Sequence, residues 1–432
     1  MEFINIIGAG LAGCEAAWQL LRRGIPVRLF EMRPGKMTPA HRGAAWAELV
    51  CSNSLRAAGI ENAVGLLKAE MRMLDSLILA AADATAVPAG GALAVDREKF
   101  SAYIEEKLRS MPGLQVVEQE VQEIPEGLTI LAAGPLVSDA LTKAILELSG
   151  SEELYFHDAI APIVEASSID MEKAFFASRY GKGEGTDYLN CPMNKEEYLA
   201  FYEALVGAEL FPLRDFEKEK HFTGCMPLES MARYGEDAIR FGPLKPVGLE
   251  LPDGSQAYAV LQLRKENAEG TMYNLVGCQT RLTRGEQRRV FSMIPGLEQA
   301  EFLRYGSMHR NTFINSPQLL DGYQRLKGRP TLYFAGQITG VEGYVESAAS
   351  GLMAGICAAA QFRGEALPEF PGSTAHGSML RFLQAGGSGS FQPMNVNFGL
   401  FPSLPQRIRN KKERYAALAQ RALEDLQAFI EG

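Results

Sequence analysis

At 432 residues the chain is too long for one core and fits two or three domains. Its residues are 47% apolar and 22% charged, as in an ordinary globular protein, and 43 Lys plus Arg against 52 Asp plus Glu give a formal net charge of -9. That balance argues against a protein that coats itself in nucleic acid, although it leaves room for a local basic groove.

The chain opens on an apolar run, Phe3 to Ile7, followed by Gly8-Ala9-Gly10-Leu11-Ala12-Gly13, a helical stretch, a second apolar run and Glu31. Each part has a job in holding a dinucleotide. Gly8 allows a tight strand-to-helix turn, Gly10 lets backbone approach a pyrophosphate, and Gly13 lets helix and strand pack closely. The helix N-terminus faces the anion, and Glu31 closes Val27-Arg28-Leu29-Phe30 where a carboxylate can accept from a ribose diol.

Residues 33 to 58 read as loop, and a helix is predicted from Asn62 to about Leu79. Another runs from Asp96, its N-cap, to about Arg109. Strands are predicted over Gln115 to Ile124 and Leu128 to Ala133, the second ending at Gly134-Pro135, where a small strand terminus could approach the same dinucleotide or simply turn. From about 160 to 274 short strands, prolines and scattered charge replace the α/β alternation, which reads as an inserted α+β domain. The α/β style returns with Thr331 to Ala335, then Gly336-Gln337-Ile338-Thr339-Gly340-Val341-Glu342-Gly343-Tyr344 and a helix from Ser347 to Ala360. Two strand-glycine-helix units favour FAD over NAD, because an extended flavin dinucleotide needs contacts at both its phosphates and its isoalloxazine end. The expected architecture is α/β: a discontinuous Rossmann-type FAD-binding domain over 1–160 and 275–432, the latter with a C-terminal helix from Gln406 to Ile430, interrupted by an insertion over 161–274.

The six cysteines, at 14, 51, 191, 225, 278 and 357, show no C-x-x-C pair and no metal-ligand spacing, so neither a disulfide framework nor a metal site is expected. Glu2 stands where an export signal needs basic residues, and Leu77 to Val95 is broken by Asp83, Pro88, Gly90 and Gly91. No export signal and no membrane span are therefore expected, and the default compartment is a reducing cytoplasm. Cys51, in Leu49-Val50-Cys51-Ser52-Asn53-Ser54-Leu55-Arg56, and Cys225, between Gly224 and Met226-Pro227, sit in polar, turn-rich settings. Each reads either as a small buried hydrophobe or as a reactive thiol. His309, in Met308-His309-Arg310-Asn311, reads either as a structural histidine or as a ligand contact. Arg281, Arg284 and Arg288 recur at roughly helical spacing, as a solvated face or an RNA contact.

Together these motifs resemble one family over nearly the whole chain: the folate- and FAD-dependent tRNA (uracil-5-)-methyltransferases, TrmFO. The likeness is carried by Gly8 to Gly13 with Cys14-Glu15-Ala16-Ala17, Cys51 to Arg56, NAVGLLKAEMR from Asn62, HFTGCMPLE around Cys225 and GPLKPVGL from Gly242. It continues through MHRNTFINSP around His309, FAGQITGVEGYVES from Phe334 and FQPMNVNFGLFP from Phe391. The resemblance implies formation of 5-methyluridine at position 54 of the tRNA T-loop, with 5,10-methylenetetrahydrofolate as one-carbon donor and NADPH or NADH as reductant through the flavin.

It further implies Cys225 as the thiolate that adds to uracil C6, Cys51 as base or flavin-side partner, and His309 stacking on the folate pterin, with Tyr344 lining that pocket. Gly8, Ala9, Gly10, Leu11, Ala12, Gly13, Glu31, Gly134, Gly336 and Gly340 would hold the flavin. Cys278 stands where the family pattern leads one to expect an aromatic residue. The alternative readings are the related GidA (MnmG) family, longer and acting on the wobble uridine, a non-catalytic RNA-binding flavoprotein, and a flavin oxidoreductase acting on a small molecule.

Overall fold

A computed structural model describes residues 2–38, 40–149, 155–182, 187–211, 226–265, 270–384, 391, 393–406 and 408–432, with backbone alone at 149, 155–160 and 307–311. The first sheet has six strands, in the order Arg325–Leu326, Arg329–Phe334, Thr129–Leu131, Ile4–Ile7, Val27–Glu31 and Leu114–Glu118. Every pairing is parallel except the Arg325–Leu326 hairpin, with Ile4 opposite Val27 and Asn5 opposite Thr129. All four residues of Ile4–Ile7 are buried, which is why this central strand reads as a nearly unbroken apolar run.

Two helices cross over this sheet. In the Tyr344–Arg363 helix, a Cβ at Gly351 would lie 2.1 Å from the Ala12 carbonyl oxygen, and one at Gly355 would lie 2.9 Å from that of Ala16. Only residues without a side chain allow the Leu11–Leu21 helix to come so close. This crossing sets the two glycine turns side by side.

The second six-stranded sheet is antiparallel: Phe175–Phe176, Tyr188–Met193, Ala259–Lys265, Met272–Leu275, Ile163–Glu165 and Phe302–Arg304. Its core draws on the Lys195–Val206 helix through Tyr198, Phe201 and Leu205, and on the Arg284–Phe291 helix through Val290 and Phe291. Leu275, Cys278, Phe291 and Leu297 belong to this core, and its last strand is Phe302–Arg304, so the unit continues past residue 274. A three-stranded sheet (Ser54–Ala57, Ala92–Val95, Ala86–Val87) and a two-stranded one (Tyr155–Ile160 with Ser307–Thr312) complete the described strands.

Several local expectations are corrected. The helix predicted from Asn62 to Leu79 is two, Ala63–Met73 and Leu77–Ala84, broken where Asp75 adopts φ +55°. The break has a cause at a distance. The buried Glu15 carboxylate accepts from Ser76 Oγ at 2.7 Å and from the Ile78 N–H at 3.0 Å, pinning the second helix start. The loop at 33 to 58 contains the Ser54–Ala57 strand, and the strand expected to reach Ile124 stops at Glu118. The Asp96 cap is present, accepting from the Lys99 N–H at 3.2 Å, an arrangement worth about 1 kcal/mol. The C-terminal helix is Lys411–Glu431, started by Asn410.

Candidate functional site

The first glycine turn is shaped for a ligand. Gly8 has φ +101°, and a Cβ there would lie 2.6 Å from the Ala132 carbonyl oxygen; a Cβ at Gly13 would lie 1.8 Å from the Gly8 oxygen. Gly10 has nothing within 4 Å of its Cβ position. Gly10 is also the N-cap of the Leu11–Leu21 helix and gives no side-chain cap, so the first N–H groups of that helix can meet an anion.

Glu31 closes the neighbouring strand and accepts from the Ala9 N–H at 3.0 Å. Its other partner is a residue that sequence reading missed. Arg33 donates to Glu31 from its backbone N–H at 3.0 Å and from its guanidinium at 3.0 and 3.1 Å. Burial raises the carboxyl pKa, but the hydrogen bonds and charge of Arg33 outweigh it and hold the group below its ordinary value. A ribose hydroxyl would therefore share or displace one of these donors. The nearby Glu-Met-Arg spacing was the only signal in the sequence.

An open cleft runs along this turn, lined by Gly8, Gly10, Leu11, Ala12, Glu31, Gly134, Gly336 and Tyr344 among others. Both strand-glycine-helix units contribute to one wall, and the cradle at Gly10 is one that a Cβ would fill. These residues fit an extended dinucleotide. Ala9 serves through its N–H, and Gly13 lies beneath Gly8, off the wall. Gly340 is not on the wall either: at φ +89° its Cβ position is 2.4 Å from the Phe391 ring, so its role here is packing.

Cys51 is half-buried at the rim of this cavity. It is not itself on the wall, but Val50 and Tyr344 are. The Tyr344 hydroxyl accepts from the Cys51 N–H at 2.6 Å and from the Ser52 N–H at 3.2 Å, and burial pushes its pKa up so that it remains a phenol. Arg97 donates to the Leu49 carbonyl and Arg304 to the Val50 carbonyl. Arg264 donates to Ser52 Oγ and, at 2.8 Å, to Asn53 Oδ1.

The other expected residues are distributed unevenly. Cys225 lies outside the described residues. His309 is described in backbone only: it is in the Ser307–Thr312 strand opposite Asp158, and the end of that strand reaches the cavity region through the Thr312 N–H to Pro135 carbonyl bond of 2.7 Å. Arg281 is buried at 7% exposure and precedes the helix that was expected to carry it; its N–H donates to the buried Glu229 carboxylate at 2.7 Å. Arg284 and Arg288 are exposed on the Arg284–Phe291 helix. Cys278 is fully buried, and burial raises its pKa well above the ordinary thiol value, which marks it as an inert core thiol rather than a third reactive one.

Two motifs that carried the resemblance support the Cys51 region from behind. Lys68, fully buried, donates to the carbonyls of Leu55 at 2.8 Å and Ala57 at 2.6 Å, and burial lowers its pKa to about 7. Arg56 pairs with the buried Glu346, which also accepts from the Val396 N–H at 3.0 Å. Among the described residues no group of three or more His, Cys, Asp or Glu side chains is arranged to hold a metal ion, and no helix is long and apolar enough to cross a membrane.

Comparison with known proteins agrees with this geometry. Residues 3–366 match the family described as glucose inhibited division protein A. A methylenetetrahydrofolate–tRNA-(uracil-5-)-methyltransferase TrmFO of Enterococcus faecalis is 60% identical over 428 residues, covering 99% of this chain and 98% of that one. The protein of the same name from Acetivibrio thermocellus is 58% identical over 432 residues, covering 100% and 99%. Among solved structures, Aquifex aeolicus GidA superposes with a TM-score of 0.70 at 17% identity, covering 99% of this chain and 76% of that one, which shows a shared fold. The chain belongs to the glucose inhibited division protein A family and, within it, to the TrmFO methyltransferases.

Proposed function

We propose that the chain is a methylenetetrahydrofolate–tRNA-(uracil-5-)-methyltransferase that uses FAD and makes 5-methyluridine at position 54 of the T-loop, with NADPH or NADH as reductant. The observation that carries the reading is the bond of the Cys51 N–H to Tyr344, which with Val50 lines the cavity along the Gly8–Gly13 turn. The name shared by relatives near 60% identity supports the substrate, the donor and the carbon that is methylated. Their identity far exceeds the 17% to GidA, which favours this reading over wobble-uridine chemistry.

The Gly8–Gly13 turn and its helix N-terminus would hold the flavin pyrophosphate, Glu31 the ribose side, and Gly134 and Gly336 the wall further along. Bound there, the flavin supplies the electrons that reduce the folate's one-carbon unit to a methyl group. The protein's own task is to make uracil C5 nucleophilic. A thiolate adding at C6 pushes electron density to C5; after C5 bonds to the new carbon, a base removes the C5 proton and the sulfur leaves. We assign the addition to Cys225 and the base or flavin-side role to Cys51. His309 and Tyr344 are assigned to the folate, the first through a strand that ends beside Pro135. Arg284 and Arg288, both exposed, are the arginines offered to the tRNA, and Arg281 is withdrawn from that set by its burial.

We further propose a discontinuous flavin domain interrupted by the second sheet, and a cytoplasmic location. Cys14, Cys51, Cys191, Cys278 and Cys357 stand outside any disulfide among the described residues, which supports a reducing compartment.

The test is transfer of labelled carbon from methylenetetrahydrofolate to a T-loop uridine, with Cys51→Ala and Cys225→Ala assayed in parallel. Each variant is expected to lose at least ~100-fold in rate. Full activity in both would end the two-thiol mechanism, and label at the wobble position would move the chain to the GidA reading.

A further inference from the structure

The segment Leu49 to Asn53 has an unusual set of attachments. Leu49, Val50, Cys51 and Ser52 precede the Ser54–Ala57 strand and lie outside any ladder, a position in which a loop is ordinarily mobile. Here successive residues are held by side chains from four distant elements. Arg97, at the start of the Arg97–Arg109 helix, takes the Leu49 carbonyl, and Arg304, on the Phe302–Arg304 strand, takes the Val50 carbonyl. Tyr344, which opens the Tyr344–Arg363 helix, takes two N–H groups, while Arg264, on the Ala259–Lys265 strand, takes Ser52 and Asn53. Two of these four side chains, Arg264 and Arg304, come from the second sheet. The cavity that the loop borders is built from the first.

Arg304 grips the same peptide as Tyr344: it is bonded to the Val50 oxygen immediately before Cys51, while Tyr344 accepts from the Cys51 N–H. Arg304 is 7% exposed, an uncommon place for a guanidinium without a specific partner. Burial, then the charges of Arg97 and Arg42, lower its pKa to about 10, so it stays cationic at neutral pH, and negative charge on Cys51 or Tyr344 acts in the opposite direction. The peptide it holds fixes the direction in which the Cys51 side chain leaves the backbone.

We propose that Arg304 is a positioning residue for Cys51, reaching from the second sheet to lock the Val50–Cys51 peptide so that the thiol stands beside Tyr344 at the cavity rim. This rests on the reading of Cys51 as a residue of the reaction. Its consequence is that the second sheet does more than present surface: it completes the geometry of the reacting centre on the first. A shift of 1 Å in a reacting group costs on the order of 100-fold in rate, so one lost grip is large enough to measure.

The experiment compares Arg304→Lys, Arg304→Gln and Arg304→Met in flavin-loaded enzyme. It reads kcat and KM for a T-arm RNA, the thermal unfolding midpoint, and the rate at which iodoacetamide labels Cys51, followed by peptide mapping. Positioning requires kcat per folded enzyme to fall from Lys to Gln to Met, reaching at least ~10-fold for Met, with KM for RNA within about twofold. Lysine can still donate to one carbonyl and should recover most of the rate. The Cys51 labelling rate should change at least about threefold in the Met variant, whether or not RNA is present. Should the Met variant not fold, the Lys and Gln variants carry the same ordering.

A series in which kcat and the labelling rate stay flat while only the unfolding midpoint falls would overturn the proposal in favour of a structural arginine. A rise in KM with kcat intact would overturn it in favour of an RNA contact. Cys51→Ala in the same assay separates the two layers. If that variant is fully active, the reading of Cys51 fails; if it is inactive while the Arg304 series is flat in kcat, only the positioning role fails.

Discussion

The two strand-glycine-helix units lie side by side over one sheet and share the cavity wall through Gly336, yet their other glycines serve opposite ends. In the first, Gly8 and Gly13 make room for each other and thereby leave Gly10 bare toward the cavity. In the second, Gly340 is filled by Phe391, and the small residues of the following helix, Gly351 and Gly355, are filled by the backbone of the first helix. Their acids differ in the same way. Glu31 holds a peptide N–H of the ligand-facing turn, whereas Glu342 accepts from the Gln337 side chain at 3.0 Å and steadies its own loop. A glycine motif is thus not one signal: which atoms a Cβ would meet decides whether it serves a ligand or a neighbour.

Three substitutions set that distinction at risk. Gly351→Ala should cost most, about 3 kcal/mol, because the obstacle is the backbone at Ala12 and no side chain can swing away. It should appear as a drop of several degrees in the unfolding midpoint of flavin-free protein. Glu31→Gln should cost about 2 kcal/mol by weakening charge-assisted bonds to Arg33 and Ala9.

The pH dependence of Glu31 has a definite sign. Its folded pKa lies below the unfolded value of 4.5, so its stabilisation is complete above that value and is lost as the pH falls through the lower, folded one. Stability measured from pH 6 down to 3 should therefore fall less steeply in the Gln variant than in the parent. Gly10→Ala should leave flavin-free stability within about 0.5 kcal/mol, since nothing stands within 4 Å, while weakening flavin binding about tenfold in a fluorescence titration. If it unfolds as readily as Gly351→Ala, the contrast between the two turns is lost.

What the sequence made legible was local. Gly8 to Gly13, the strand before them and Glu31 follow a spacing that short-range sterics impose, and Asp96 caps its helix for the same reason. What it hid depends on residues far apart in the chain. The break at Asp75 is set by Glu15, and the burial of Arg281 comes with an anchor at Glu229. The assembly of Arg97, Arg264, Arg304 and Tyr344 around Leu49 to Asn53 has no periodicity to betray it. Gly340 shows the complementary case: its motif resembles a ligand turn, but the space a side chain would take there is occupied by Phe391. Arg33 was overlooked because reading Glu31 as a ribose ligand left its charge without a stated counterion.

The close crossing of the Leu11–Leu21 and Tyr344–Arg363 helices also bears on how the chain is made. A nascent protein emerges from the ribosome with its first helix already translated, but the glycine-lined partner at Gly351 and Gly355 arrives only after most of the polypeptide has been synthesised. Until then Ala12 and Ala16 have no lid, and the Arg329–Phe334 strand cannot join Thr129–Leu131. Native closure of the flavin-type sheet is therefore a late event in biosynthesis, and the interval before it is when chaperones would find an apolar seam to hold.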